Sequence, residues 1–195
     1  MSQTSLFTGT AMSGADFSPC KTCGFTAAGS RCADCETRTY RYRLWRIVDA
    51  GPTIAVIGLN PSTADVMEED DPDPTIARLQ KRFVKWRIRG VNQSAGKLMM
   101  LNLFAYRATD PREMQAAEDP IGPEADDVLI AEARAAAMVV CAWGTRGKHR
   151  GRAVQAVRML REAGVTLHAL RLTKEGAPEH PLYLPADLRP VEWSP

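Results

Sequence analysis

Four cysteines near the start of the chain have the spacing of metal ligands. Cys20 and Cys23 form one C-x-x-C pair, Cys32 and Cys35 form a second, and eight residues separate the pairs. Each such turn directs two thiolates at one ion, and four thiolates complete the tetrahedral site that zinc prefers. Because a closed four-sulfur site has no open coordination position, we predict a structural zinc ion, with an iron–sulfur cluster as the alternative.

Three further groups of polar residues each follow a short apolar run. The groups are Gly58-Leu59-Asn60-Pro61-Ser62-Thr63-Ala64-Asp65, residues 102–107 with Asn102, and residues 176–182 with His180. Ligands of parallel α/β sheets bind beyond the carboxyl ends of the strands, so these groups are candidates for one site. Each also has a purely structural interpretation: a turn at Asn60-Pro61, a satisfied polar group at Asn102, and a surface histidine at His180.

Alternating strands and helices must position these groups. Strands are predicted at residues 53–57, 97–104, 138–143 and 165–170, and a period-two pattern at residues 40–45 predicts a half-buried strand before them. Helices are predicted from Pro74 to about residue 89, at 123–136 and at 153–163. The fold class is therefore α/β, a three-layer sandwich around a central, mainly parallel sheet of four to five strands. Cys141 lies inside an apolar strand and is expected in the core.

Length and composition favour one folded domain with an added segment. The chain has 195 residues and a formal net charge of +2, so any nucleic-acid contact must be local. We predict a flexible tail at residues 1–18, the four-cysteine knuckle at 19–37 and the α/β domain at 38–195. No export signal or membrane span is apparent, so a cytoplasmic monomer with reduced thiols is expected.

The order of the motifs resembles the uracil-DNA glycosylase superfamily and, more closely, the bacterial and phage domain-of-unknown-function family 1643. This second likeness covers residues 40–193. Gly58-Leu59-Asn60-Pro61 is similar to the Gly-Ile-Asn-Pro-Gly motif of the mismatch-specific glycosylases, whose Asn positions the attacking water. Ser62 stands where that motif has its second Gly.

The remaining motifs extend the resemblance. Asn102 stands where those enzymes keep an Asn that reads the edge of the base, and Trp143-Gly144 resembles their Trp-Gly strand end. His180-Pro181 resembles the His-Pro-Ser motif that stabilises the departing base, with Leu182 in place of the Ser. The resemblance implies the same sheet architecture and hydrolysis of the N-glycosidic bond of a flipped uracil, mismatched or modified base in DNA.

A candidate set of site residues follows. Asn60 and His180 are the predicted catalytic residues, and Asp65 is a candidate general base because an amide cannot accept a proton from water. Phe104 and Tyr106 are candidates for stacking on the base, or else core and rim aromatics. The full set predicted to bind substrate is Gly58, Ser62, Thr63, Asn102, Phe104, Tyr106, Arg107, Trp143 and Gly144.

Two basic segments are candidates for contacts with a nucleic-acid backbone. The predicted residues are Arg41, Arg43, Arg146, Lys148 and Arg150. The alternative is a solvated basic face in the second segment, and an edge strand protected by charge in the first. The expected partner is DNA, single- or double-stranded. Two other functions stay open: a catalytically silent nucleic-acid-binding module, and a hydrolase of free nucleosides or nucleotides.

Overall fold

The computed structural model describes residues 13–18, 39–47, 49–62, 74–83, 85–86 and 95–195. Its strands are β1 (Ser13–Phe17), β2 (Arg41–Ile47), β3 (Thr53–Gly58), β4 (Lys97–Asn102), β5 (Met138–Cys141), β6 (Leu167–Ala169) and β7 (Val191–Glu192). Its helices are α1 (Pro74–Phe83), α2 (Pro111–Ala116), α3 (Ala125–Ala135) and α4 (Arg152–Glu162). Short 3₁₀ turns lie within Thr145–Gly151, where the backbone is non-helical at His149 and Arg150, and at Pro181–Tyr183.

In this described part of the chain, seven strands form one mixed sheet in the order β1-β2-β4-β3-β5-β6-β7. The central strands β4, β3, β5 and β6 are parallel. The outer strands β1, β2 and β7 pair antiparallel. The α/β class and the mainly parallel centre are confirmed, whereas the predicted count of four to five strands is too low.

The two unpredicted strands are β1 and β7, at the edges of the sheet. β1 has the sequence SGADF and β7 has only the residues VE, so neither shows an apolar period of two. Each is ordered by pairing with a neighbour, β1 with β2 and β7 with β6. The flexible tail predicted at residues 1–18 is therefore wrong for Ser13–Phe17.

The centre of the sheet is buried on both faces. Ile54 and Val56 of β3 pack with Leu79 and Phe83 of α1 on one face. Ala55 and Ile57 point to the opposite face, where α3 and α4 pack. This alternation follows from the period of two along a strand, and it explains why a central strand reads as a continuous apolar run.

Helix α1 ends at Phe83, earlier than the predicted end near residue 89. After it, the amides of Lys85 and Trp86 donate to the carbonyls of Arg82 and Phe83. Trp86 is then buried, and its indole Nε1 donates to the carbonyl of Leu188 at 3.3 Å. Among the described residues, no helix is both long and apolar enough to cross a bilayer.

Arg152, the first residue of α4, is fully buried at 0% exposure. Its Nε donates to the carbonyl of Leu103 at 2.8 Å, just past the end of β4. Its Nη2 lies 2.5 Å from Oδ1 of Asp126 on α3, and its Nη1 donates to Gln155 at 3.2 Å. One guanidinium thus joins β4, α3 and α4.

We expect Arg152→Ala to lower the free energy of unfolding by about 2–4 kcal/mol. The substitution removes the donors from the Leu103 carbonyl and leaves a cavity at the start of α4. Urea denaturation measures the effect. The control is Arg134→Ala on the exposed end of α3, for which a change within about 0.5 kcal/mol is expected. Equal effects of the two substitutions would contradict the role given to Arg152.

Candidate functional site

The order of the strands reverses between β3 and β5. After β3 the chain forms β4 on one side of β3, and later it forms β5 on the other side of β3. The intervening helices lie on opposite faces, because α1 packs on one face and α3 on the other. Ligands of open α/β sheets bind at such a point, outside the carboxyl ends of the strands. The segments there are residues 59–61 and 142–144.

Asn60 lies in the first of these segments, and its side chain is fixed by the main chain. Its Nδ2 donates to the carbonyl of Pro61 at 3.1 Å and to the carbonyl of Ala108 at 2.8 Å. The amide of Ala108 in turn donates to the Pro61 carbonyl at 2.9 Å. Both amide hydrogens are therefore used, so Oδ1 is the polar atom through which Asn60 can act, as a hydrogen-bond acceptor.

Gly58 and Asn102 are neighbours at the ends of β3 and β4. The parallel register pairs the two residues, and a Cβ at position 58 would lie 3.0 Å from Oδ1 of Asn102. Beyond the strands, the amides of Leu103 and Phe104 donate to the carbonyls of Gly58 and Leu59, each at 3.0 Å. The absence of a side chain at Gly58 therefore lets Asn102 occupy this position beside the candidate site.

His180 lies at the same edge of the sheet. The amide of Gly144, just after β5, donates to the carbonyl of Pro178 at 2.7 Å, and this contact brings residues 178–180 to the carboxyl end of β5. His180 Nδ1 accepts from the amide of Leu182 at 3.4 Å. In a neutral imidazole this bond assigns the hydrogen to Nε2, which makes that atom a donor.

Two arginines of α1 hold the segment that follows His180. Arg82 is 1% exposed, and its Nη2 donates to the carbonyls of Pro181 at 3.1 Å and Leu184 at 2.5 Å. Arg78 Nη2 donates to the Leu184 carbonyl at 2.8 Å. Burial lowers the pKa of Arg82, with a further contribution from Arg78. Neither arginine was predicted from the sequence, although Arg82 is buried beside Leu79 and Phe83 on the apolar face of α1.

A β-bulge in the pairing of β1 and β2 accompanies the position of Tyr42, which lines the same small cavity as Asn102. Asp16 pairs with Arg43 and Phe17 pairs with Arg41, so Tyr42 is the extra residue of β2, and its ring joins the core beside α3. Tyr42, Arg41 and Asn102 line a small cavity of about 10 Å³. Burial raises the pKa of Tyr42 to about 12. Bulges near binding sites commonly re-aim one side chain in this way.

The structure corrects the predicted basic contacts on β2. Arg41 is 8% exposed and lines the small cavity, so it offers little surface to a nucleic-acid backbone. Arg43 forms ion pairs with Glu132 at 2.7 Å and with Asp16 at 3.2 Å. Two carboxylates thus offset its charge, so Arg43 is poorly suited to binding phosphate.

The second basic segment is more exposed. Arg150 has a positive φ of 50° and donates to the carbonyls of Glu118 and Ala117, each at 2.8 Å. Arg146 and Lys148 are exposed on the surface beside it. Of the five basic residues predicted to contact a backbone, these two are placed best for that role.

The predicted aromatic residues differ in exposure. Phe104 is 0% exposed, with its ring centroid 5.7 Å from that of His149, which agrees with the alternative that it is a core aromatic. Trp143 is also buried, with Gly147 packed closely against its ring. Tyr106 is half-buried and meets Tyr40 edge-on at 6.2 Å. A polar neighbourhood in the sequence does not reveal which rings fill the core.

Some predicted residues cannot be placed. Thr63, Asp65 and the four cysteines lie outside the described residues, whereas Ser62 and Arg107 are half-buried beside the candidate site. Within the described ranges, no cluster of three or more His, Cys, Asp or Glu side chains is arranged to hold a metal ion. Of the predicted residues that the structure describes, those at this edge of the sheet with polar groups or close backbone are Gly58, Asn60, Ser62, Asn102, Arg107, Gly144 and His180.

We expect Gly58→Ala to lower the free energy of unfolding by about 1–2 kcal/mol, because the new methyl group would crowd Asn102 Oδ1. Urea denaturation measures this cost, and the shift of the Asn102 side-chain amide signal in a ¹H–¹⁵N spectrum reports the displacement. The control is the same substitution in an Asn102→Ala background. There the added cost should vanish, and a cost that persists would place the crowding elsewhere.

The comparisons with known proteins identify one family. A family model described as "Protein of unknown function (DUF1643)" matches residues 41–182. No curated protein and no solved structure matches the chain. The matched range begins in β2 and ends beyond His180, so it contains the described part of the candidate site. Because it covers well over half of the 195 residues, the chain belongs to this family of unknown function.

Proposed function

We propose that the protein is a DNA glycosylase-like enzyme that hydrolyses the N-glycosidic bond of a flipped uracil, mismatched or modified base. The observation that carries the proposal is the fixed orientation of Asn60 at the reversal of strand order, with both amide hydrogens held by carbonyls. The resemblance of its motif to that of the mismatch-specific glycosylases supports the same role. Family membership alone says nothing of activity, because the family is one of unknown function.

Cleavage of an N-glycosidic bond develops positive charge on the sugar and negative charge on the departing base. A site for this reaction must hold a water beneath the sugar and place a hydrogen-bond donor beside the base. Asn60 Oδ1 can accept a hydrogen bond from the water and thereby orient it. An amide cannot accept the proton, so we assign that step to the carboxylate of Asp65 in the same segment.

Two other polar residues, His180 and Asn102, are suited to hydrogen bonds with the base. His180, with its hydrogen on Nε2, can donate to the developing base anion. The amide of Asn102 can read the edge of a flipped base by hydrogen bonds. Arg41 is buried and Arg43 is paired with carboxylates. Contact with the DNA backbone near the site therefore depends on Arg146 and Lys148, which are exposed.

The test uses oligonucleotides that contain uracil, mismatches or modified bases, followed by alkali to reveal abasic sites. We expect wild-type protein to produce such sites and Asn60→Ala to lower the rate about 10²-fold or more. His180→Ala should lower it about 10²- to 10³-fold, and His180→Gln should recover part because it retains a donor. Arg134→Gln, far along α3, is the control.

Two outcomes would replace the proposal. Tight, salt-sensitive DNA binding without an abasic product on any substrate would identify a silent binding module instead. Release of base from free nucleosides but not from DNA would identify a nucleoside hydrolase. Thermal melts of Asn60→Ala separate loss of chemistry from loss of folding, since this variant also loses two hydrogen bonds.

We also propose that Cys20, Cys23, Cys32 and Cys35 bind a structural zinc ion. The described residues on the two sides of the segment that carries them lie side by side, because the Ser18 amide donates to the Tyr40 carbonyl at 3.1 Å. Its two ends are therefore adjacent, as the ends of a segment closed by a metal would be. β2 runs antiparallel to β4, so both ends lie at the edge that carries Asn102.

Metal analysis of the purified protein should find about one zinc per chain. Cys23→Ser and Cys35→Ser should lose it, because each removes one of four thiolate ligands. Cys141→Ala is the matched control, since Cys141 is buried in β5 and burial raises the pKa of its thiol. Iron with acid-labile sulfide in place of zinc would favour the alternative cluster, and zinc retained in both serine variants would exclude the site.

A further inference from the structure

A large groove lies next to the candidate site and is not used by the proposed chemistry. Its volume is about 770 Å³, within the range of ligand-binding clefts. It runs along α4 and is lined on its other side by residues 175–178 and by Trp193 and Pro195. Trp143 and Gly144, which follow β5 after one residue, also line it, so the groove adjoins the carboxyl edge of the sheet.

The floor of the groove is apolar and partly aromatic. Trp193 meets Trp143 at 5.8 Å between ring centroids and an interplanar angle of 63°. Trp193 is only half-buried, and its amide donates to the carbonyl of Leu167, which fixes it at the end of β7. Val154 of α4 lines the same groove and is 76% exposed. This surface offers a ring face and adjoining apolar contacts to a ligand.

Among the described residues, three basic and two acidic side chains line the groove. Lys148, Arg158 and Arg161 line it, against Glu162 and Glu175. The Arg158–Glu162 pair is 3.9 Å apart between side chains that are 71% and 70% exposed, so it is weak and easily exchanged. Arg161 Nη1 donates to the main-chain oxygen of Pro195 at 2.9 Å.

These cations are spread along the helix. Lys148 precedes α4, and Arg158 lies in its second half. The helical residues that line the groove, 153 to 162, cover about 14 Å along the axis. The apolar floor therefore has a basic residue near each end.

We propose that this groove binds an unpaired segment of a DNA strand, with one base stacked on Trp193 and the neighbouring phosphates near Lys148 and Arg158. An aromatic platform between basic residues is the arrangement that single-stranded nucleic acid requires. A base in a duplex is already stacked and paired, so it cannot also lie on this floor. The inference rests on the proposed function in one respect: the strand is the one whose base enters the Asn60 site.

The first test places a charge in the lining of the groove, at the exposed Val154 of α4. We measure binding of a fluorescein-labelled, unmodified single-stranded oligothymidylate by anisotropy at about 0.15 M salt. Val154→Asp should weaken binding and Val154→Lys should tighten it, each about fourfold. One phosphate contact contributes about 0.7 to the slope of log K against log salt concentration, which at about 0.15 M salt corresponds to about a fourfold change in the binding constant. Val154 is largely exposed, so both variants are expected to fold. An apolar peptide as the true ligand would be weakened by both substitutions, which would overturn the proposal.

The second test removes the ring. Trp193→Ala should weaken binding about 5- to 150-fold, the range for loss of one stacked base. Trp193→Phe should restore most of it, because it keeps a stacking face. Arg134→Gln removes one positive charge from exposed α3 and should change binding less than twofold. Absence of binding by wild-type protein, or equal effects of the Phe and Ala variants, would refute the assignment.

The two proposals fail separately. The oligothymidylate carries no excisable base, so its binding does not depend on catalysis. Binding with the expected Val154 and Trp193 effects, but no excision on any substrate, would keep the groove and reject the glycosylase. Excision unaffected by the Val154 and Trp193 variants, with no oligothymidylate binding, would reject the groove alone.

Discussion

The guanidinium of Arg152 holds together three elements that the chain forms at different points. It is fully buried, and it ties the start of α4 to the Leu103 carbonyl beyond β4 and to Asp126 on α3. A charge withdrawn from water is tolerated only where such partners are in place. The start of α4 is therefore fixed, and so is the Gly144–Gly151 connection that leads to it. The groove and the exposed Lys148 depend on that position.

A second buried arginine joins separate segments on the opposite face of the sheet. Arg82 of α1 donates to the carbonyls of Pro181 and Leu184 and thus holds the segment that begins at His180. Carbonyls satisfy donors but do not cancel charge, which is consistent with the lowered pKa of Arg82. The edge of the sheet between β3 and β5 is thus braced from both layers of helices, as a preorganised polar site requires.

The sequence predicted the centre of this fold well and its edges poorly. β3 reads as an apolar run because it is buried on both faces, and the parallel register then places Gly58 beside Asn102. The pairing of β1 and the neutralisation of Arg43 could not be predicted in the same way. Arg43 contacts Asp16 and Glu132, which are 27 and 89 residues away, and no local pattern encodes such contacts. The burial of Phe104 depends equally on tertiary packing.

The corrected charges change where a nucleic acid would have to lie. Arg41 is buried and Arg43 is paired with two carboxylates, so β2 offers little to a phosphate backbone, whereas Arg146, Lys148 and Arg158 are exposed. The cysteine segment joins the sheet at the edge that also carries Asn102. Under the proposed function, a free nucleoside would occupy only the Asn60 site, whereas a DNA strand would also lie along the groove, so the two substrates would differ in their dependence on Trp193.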